Sequence, residues 1–238
     1  MSNYNKKRGD IIWSLVQRIS LRSGFIAKRF EVAGAVATYA MWLKARGLSD
    51  TKLFASREPM WKSVFDRLQK GPWTVLEFGV AAGAASKYWL SEIPNPDLRW
   101  HGFDVFTGLP EAWMRGGVEF AEEGAFDAGG KTPDIDDTRA TWHVGLVDDT
   151  LPKLDFDGDG PVCVLLDFDL YGPTSFALNW LAGRLKPGDV LYFDEAYDPW
   201  HERRALDEFL DAGHKVKPLG STGIALLLEY QGYEALTP

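Results

Sequence analysis

The chain has 238 residues, 45% apolar and 25% charged, with a net charge of −8. This is ordinary globular composition, with enough length for one sizeable core in one domain. The negative balance argues against a nucleic-acid partner, and no apolar run reaches the roughly eighteen residues of a membrane span.

Residues 1–30 are broken by charge and lack a cleavage-like end, so no secretory leader is expected. The single cysteine, Cys163, lies in an apolar run and reads as a small buried hydrophobe. A cytoplasmic protein fits. The charge is uneven, however. Residues 1–30 hold seven Lys/Arg (Lys6, Lys7, Arg8, Arg18, Arg22, Lys28, Arg29) and one acid, Asp10, which leaves −14 for the remainder. This basic helix is expected to pack on the fold or on a second subunit. Contact with an anionic membrane surface is the alternative.

In chain order, Ile11, Ile12, Leu15, Val16 and Ile19 recur at helical spacing. "VAGAVATYAMWLKARG" reads as a helix closed by Gly47, and "EPMWKSVFDRLQKG" as a third ending at Gly71. From Trp73 the period changes. "TVLEFG" is a buried strand running into a glycine turn, "AAGAASKYWLSEI" a helix broken by "PNP", and "LRWHGFDVF" a strand. Residues 107–140 hold eight glycines and prolines among many acids and read as a long functional loop or lid. "TWHVGLV" and "PVCVLLDF" are strands, "TSFALNWLAGRL" a helix, "VLYFDEAY" a strand and "WHERRALDEFLDAG" a helix. "KVKPLG" and "GIALLLEY" close the chain as an antiparallel pair. Alternating strands and helices imply an α/β fold with a mainly parallel sheet.

Ligands of open α/β sheets bind outside the carboxyl ends of the strands. Asp104, Asp167, Asp194 and the glycine turn after Glu77 all fall there, so they should gather on one rim. Asp104 follows Gly79 by 25 residues at the end of the next strand, where an acid commonly takes the ribose of a nucleoside cofactor. "EFGVAAG" lacks the middle glycine of G-x-G-x-x-G, which speaks against a nicotinamide-dependent dehydrogenase. Several carboxylates on one rim repel one another without a cation, and oxygen ligands suit Mg²⁺. The plainer readings are strand-end acids, a turn, and for Asp169 a helix cap.

Five stretches, "LEFGVAAGAAS", "GFDVFTGLPEAW", "GLVDDTLPKL", "LLDFDLYGPT" and "YFDEAY", span residues 76–197. In this order and spacing the chain resembles the S-adenosylmethionine-dependent methyltransferases with the Rossmann-like seven-stranded fold. More closely, it is similar to the metal-dependent sugar O-methyltransferases related to macrocin O-methyltransferase. The resemblance implies a methyltransferase domain over residues 71–238, preceded by a helical extension over 1–70, with the lid near 107–140. Gly79, Gly83 and Ser86 would hold the methionine end of S-adenosylmethionine with Glu77 nearby, Asp104 the ribose, and Asp148 would lie near the adenine. Asp167, Asp194 and Glu195 would bind Mg²⁺ and Asp169 would be the general base. Many relatives carry two aspartates where this chain has Asp194-Glu195, but glutamate is still a hard oxygen ligand.

The expected reaction is methylation of a hydroxyl on a small acceptor, a sugar or other vicinal diol of a natural product, by a homodimeric enzyme. A catechol-type phenol is an alternative acceptor, and a catalytically silent scaffold or adaptor is the alternative outside enzymes. Trp200 and His201 are candidates to touch the acceptor. His101, His143 and His214 are expected in the fold or on its surface, and Arg203 and Arg204 on a solvated helix face.

Overall fold

The computed structural model describes residues 6–156 and 160–235, and side chains from residue 12 onward. Three helices open the chain: α1 (Lys6–Ser20), α2 (Gly24–Ala45) and α3 (Arg57–Leu68). Then β1 (Thr74–Phe78), α4 (Ala84–Glu92) and β2 (Arg99–Asp104) begin the alternation. A small antiparallel hairpin, β3 (Trp113–Arg115) with β4 (Val118–Ala121), precedes β5 (Ala140–Val144), the single-turn α5 (Val147–Thr150) and β6 (Val162–Leu166). The chain ends with α6 (Tyr171–Ala182), β7 (Val190–Phe193), α7 (Glu202–Asp211), β8 (His214–Ser221) and β9 (Leu226–Tyr233).

Seven strands form one sheet in the order β5-β2-β1-β6-β7-β9-β8. The first five are parallel, and β9 runs antiparallel to both β7 and β8. This is the Rossmann-like architecture expected from the sequence. From β1 the chain runs outward to β2 and β5 and then crosses back to β6 on the other side of β1, so the strand order reverses there and the crevice for a ligand opens above β1.

The central strands are continuous apolar runs because helices cover both faces. Alternate residues divide between two cores. Leu76, Phe78, Val164, Leu166, Leu191 and Phe193 face α6, α7 and Tyr39 of α2. Val75, Cys163, Leu165 and Tyr192 face α3 and α4. On that second face Trp61 and Phe65 of α3 meet the ring of Trp89 at 5.9 and 4.8 Å. Each such pair contributes about 0.5–1.5 kcal/mol beyond its burial. So α3 is part of the sheet's own packing. Its approach is pinned at the far edge of the sheet, where the Phe54 N–H donates to the Ser221 carbonyl (2.8 Å) and the Ser221 N–H to that of Lys52 (2.9 Å).

Two expectations change. The loop over 107–140 contains the β3–β4 hairpin, too short and too glycine-rich for a strand pattern to show. Arg203 is buried at 6% exposure, whereas Arg204 lies in solvent. Among the described residues no helix is long and apolar enough to cross a membrane.

Candidate active site

A cavity of about 660 Å³ lies above the carboxyl ends of β1, β2, β6 and β7. That volume suits a small-molecule site. At one end it is lined by Gly79, Ala81, Asp104, Leu146 and Asp148, and at the other by Asp167, Asp169, Asp194 and Glu195. The two groups of expected residues therefore share one chamber.

The glycine turn sets how closely β1 and β6 end at the chamber. Gly79 has φ +82°, and a Cβ there would lie 1.9 Å from the Asp167 carbonyl oxygen. No other residue lets β1 and β6 end so close together. Asp104 reaches across and accepts the Val80 and Ala81 N–H groups, both at 2.8 Å, while its other oxygen accepts the Phe106 N–H at 2.6 Å. A carboxylate has about four acceptor positions, so Asp104 shapes the turn and still faces the cavity. Phe103 and Phe168 also line the chamber as flat apolar walls.

Not every expected cofactor residue lines the chamber. Glu77 is 2% exposed and accepts hydrogen bonds from Ser86 Oγ and Trp100 Nε1. Burial pushes its carboxyl up to about 7. Glu77 and Ser86 thus sit beneath the floor, between β1 and α4. Gly83 (φ +77°) faces away, and a Cβ there would strike the Pro133 ring at 2.6 Å.

The acidic end is electrostatically loaded. Asp194 is buried, and both its oxygens lie 2.9 Å from Nη1 of Arg57, with the Tyr192 hydroxyl donating to it as well. Burial, then Asp194 and Asp169, hold the Asp167 carboxyl well above the usual range. Asp169 is pushed to about 7 by burial and then by Asp194 and Asp198. Glu195 reaches about 8 by burial and then by Asp194 and Asp169. Asp169 also holds a left-handed backbone, φ +61°, which Asp tolerates better than most residues.

This donor set fits a hard divalent cation in its chemistry. The groups are carboxylates, they are crowded, and Glu195 Oε2 is buried without a hydrogen-bond partner. Among the described residues no three acidic, cysteine or histidine side chains converge as a ready-made cage. With Asp194 engaged by Arg57, the cage is not assembled.

Sequence reading missed the groups that support this end. Arg57 begins α3 and stands 137 residues from Asp194, so no local spacing links them. Glu202, the first residue of α7, is fully buried and accepts the Glu195 N–H at 2.9 Å. Arg115 of the hairpin is fully buried, 3.1 Å from Glu31 of α2 and 3.2 Å from Asp198, and it donates to the Tyr197 hydroxyl. His201 is committed to structure. Its Nδ1 accepts the Tyr171 N–H (3.1 Å) and its Nε2 donates to the Met114 carbonyl (2.7 Å). Trp200 is half exposed and its ring borders Gly116 of the hairpin turn.

No family model and no curated protein matches the chain by sequence. Solved structures do. It is similar to CalS11, a calicheamicin methyltransferase, at 24% identity over 72% of this chain and 76% of that one, with a TM-score of 0.52. It is also similar to the O-methyltransferase NovP, at 16% identity over 89% of this chain and all of that one, with a TM-score of 0.51. At these identities the likeness speaks for architecture: the chain has the seven-stranded fold of the methyltransferases that its motifs resemble.

Proposed function

We propose that the protein is an O-methyltransferase that moves a methyl group from S-adenosylmethionine to a hydroxyl of a small acceptor. The observation that carries this reading is the single chamber with a glycine turn and Asp104 at one end and four carboxylates at the other. Gly79, Ala81, Asp104 and Asp148 would hold the cofactor, with the amino-acid and ribose portions over β1 and β2 and the adenine toward Leu146. The bound cofactor supplies an electrophilic methyl group. Asp167, Asp194 and Glu195 would hold Mg²⁺, which acidifies a coordinated hydroxyl.

The chain's own contribution is placement and proton removal. Asp169 sits at the acceptor end with its carboxyl near 7, the range suited to a general base at neutral pH. The apolar walls exclude water, which strengthens charge effects within the chamber. Orienting the hydroxyl toward the methyl carbon supplies much of the rate.

A sugar or other vicinal diol on a natural product is the proposed acceptor class. Phe126, Leu109 and Phe176 also line the chamber, and their apolar character favours a catechol-type phenol as the second reading. We further propose a homodimer with no nucleic-acid partner, working in the cytoplasm. The test is calorimetric titration of S-adenosylhomocysteine, followed by a methyl-transfer screen over diol and catechol acceptors with and without Mg²⁺. Cofactor binding without turnover on any acceptor would favour a silent scaffold, and no binding would overturn the reading.

A further inference from the structure

The acidic end already contains one cation of its own. We propose that Arg57 is the resident counter-ion of the acid cluster, and that a divalent cation enters this site by displacing the Arg57 guanidinium from Asp194. The inference rests on the cation-dependent reading of the site given above.

Four observations support it. First, Arg57 Nη1 alone makes both contacts to Asp194, at 2.9 Å each. The forked arrangement of two nitrogens on two oxygens, the strong form of an Arg–carboxylate pair, is absent. The pair is correctly placed in a form weaker than the fork. Second, the Arg57 side chain is 48% exposed, whereas that of Asp194 is 5% exposed. The guanidinium can leave into the chamber while the carboxylate cannot follow. Third, the backbone need not move. Residues 52–54 are hydrogen-bonded to Ser221, and α3 is buried through Met60, Trp61 and Val64.

Fourth, the crowding of acids favours exchange. Asp167, Asp169, Asp194 and Glu195 line the same end of the chamber with Arg57, and the other guanidinium near them, Arg115, is tied to Glu31 and Asp198. Arg57 brings one delocalised positive charge to four crowded carboxyl groups. A compact double charge with oxygen preference compensates them better. Displacement would also free Asp194 Oδ2 and leave Oδ1 with the Tyr192 hydroxyl alone, the step needed before three acids can converge. Arg57 therefore keeps the cluster folded without metal and sets the affinity at which a cation takes over.

The experiment titrates Mn²⁺, followed by calorimetry and by the free-ion electron paramagnetic resonance signal, into the wild-type chain, Arg57→Gln, Arg57→Lys and Asp194→Asn. Thermal melting of each is recorded with and without Mg²⁺. Displacement predicts cation binding on the order of tenfold tighter in R57Q than in wild type, an intermediate R57K, and loss in D194N. It also predicts that R57Q melts lower than wild type without metal and gains more from Mg²⁺. Cation binding by R57Q but not by wild type would support the inference in its strongest form. Equal or weaker binding by R57Q would overturn it while leaving the cation-dependent reading intact. No binding by either chain would overturn both. Should R57Q fail to fold, R57K carries the same comparison.

Discussion

The Glu195 peptide N–H donates to Glu202 Oε2 at 2.9 Å, so a fully buried carboxyl on α7 fixes the backbone of a residue at the acidic end of the chamber. The other Glu202 oxygen is buried and unpaired, and burial holds this carboxyl well above its ordinary range. Glu202→Ala leaves the Glu195 N–H without an acceptor. It should destabilise the fold by about 1–3 kcal/mol and lower kcat more than it raises cofactor Kd. Glu202→Gln retains an acceptor and should recover most of both. Urea unfolding with steady-state kinetics checks this, and equal behaviour of the two variants would deny the positioning role.

Asp169→Asn should abolish proton removal while keeping the left-handed backbone at φ +61°, because Asn tolerates that region as Asp does. The expected loss in kcat is about 10²–10⁴-fold. S-adenosylhomocysteine affinity should stay within about threefold of wild type, since under that change RT ln Kd moves by less than about 1 kcal/mol. Turnover at wild-type rate would return Asp169 to the role of a helix-start residue.

Gly79→Ala should be severe. The added methyl would lie 1.9 Å from the Asp167 carbonyl oxygen in a φ +82° conformation. Relief requires β1 and β6 to part at the cavity floor. A destabilisation above about 2 kcal/mol is expected from strain alone, together with loss of cofactor binding by calorimetry. A stable variant that binds normally would contradict the close approach.

Glu77 gives the stability a pH signature. Burial raises its folded pKa from 4.5 to about 7. Its contribution is therefore fully present below 4.5 and is lost as pH rises through about 7. Glu77→Gln removes the titration and keeps an acceptor for Ser86 and Trp100. The melting temperature of wild type relative to E77Q should fall between pH 5 and pH 8. A constant difference across that window would mean that Glu77 is ionised in the folded chain throughout.

Much of the candidate site was legible because it is written in short segments. The short apolar runs marked the strands, and the rule that ligands sit at strand ends placed Asp104, Asp167 and Asp194 together. Glycine at position 79 is a local conformational demand, so its neighbours alone exposed it. Glu77 and Ser86 are positions where local sequence does not decide the outcome. The motif puts them next to the turn, but the direction of a strand residue's side chain depends on which face packs inward. Here both point into the floor between β1 and α4.

What the sequence determined by itself is the alternation of strands and helices, the parallel sheet and the acids at its carboxyl rim, since hydrophobic period and turn chemistry act over a few residues. The company those acids keep is set by tertiary packing. Arg57 of α3 and Arg115 of the hairpin meet the rim across 137 and 82 residues of chain, and Glu202, seven residues from Glu195, through the placement of α7. Burial then raises their mutual electrostatics far above what exposed charges feel in water, and no local pattern encodes which helix end lands beside which carboxylate.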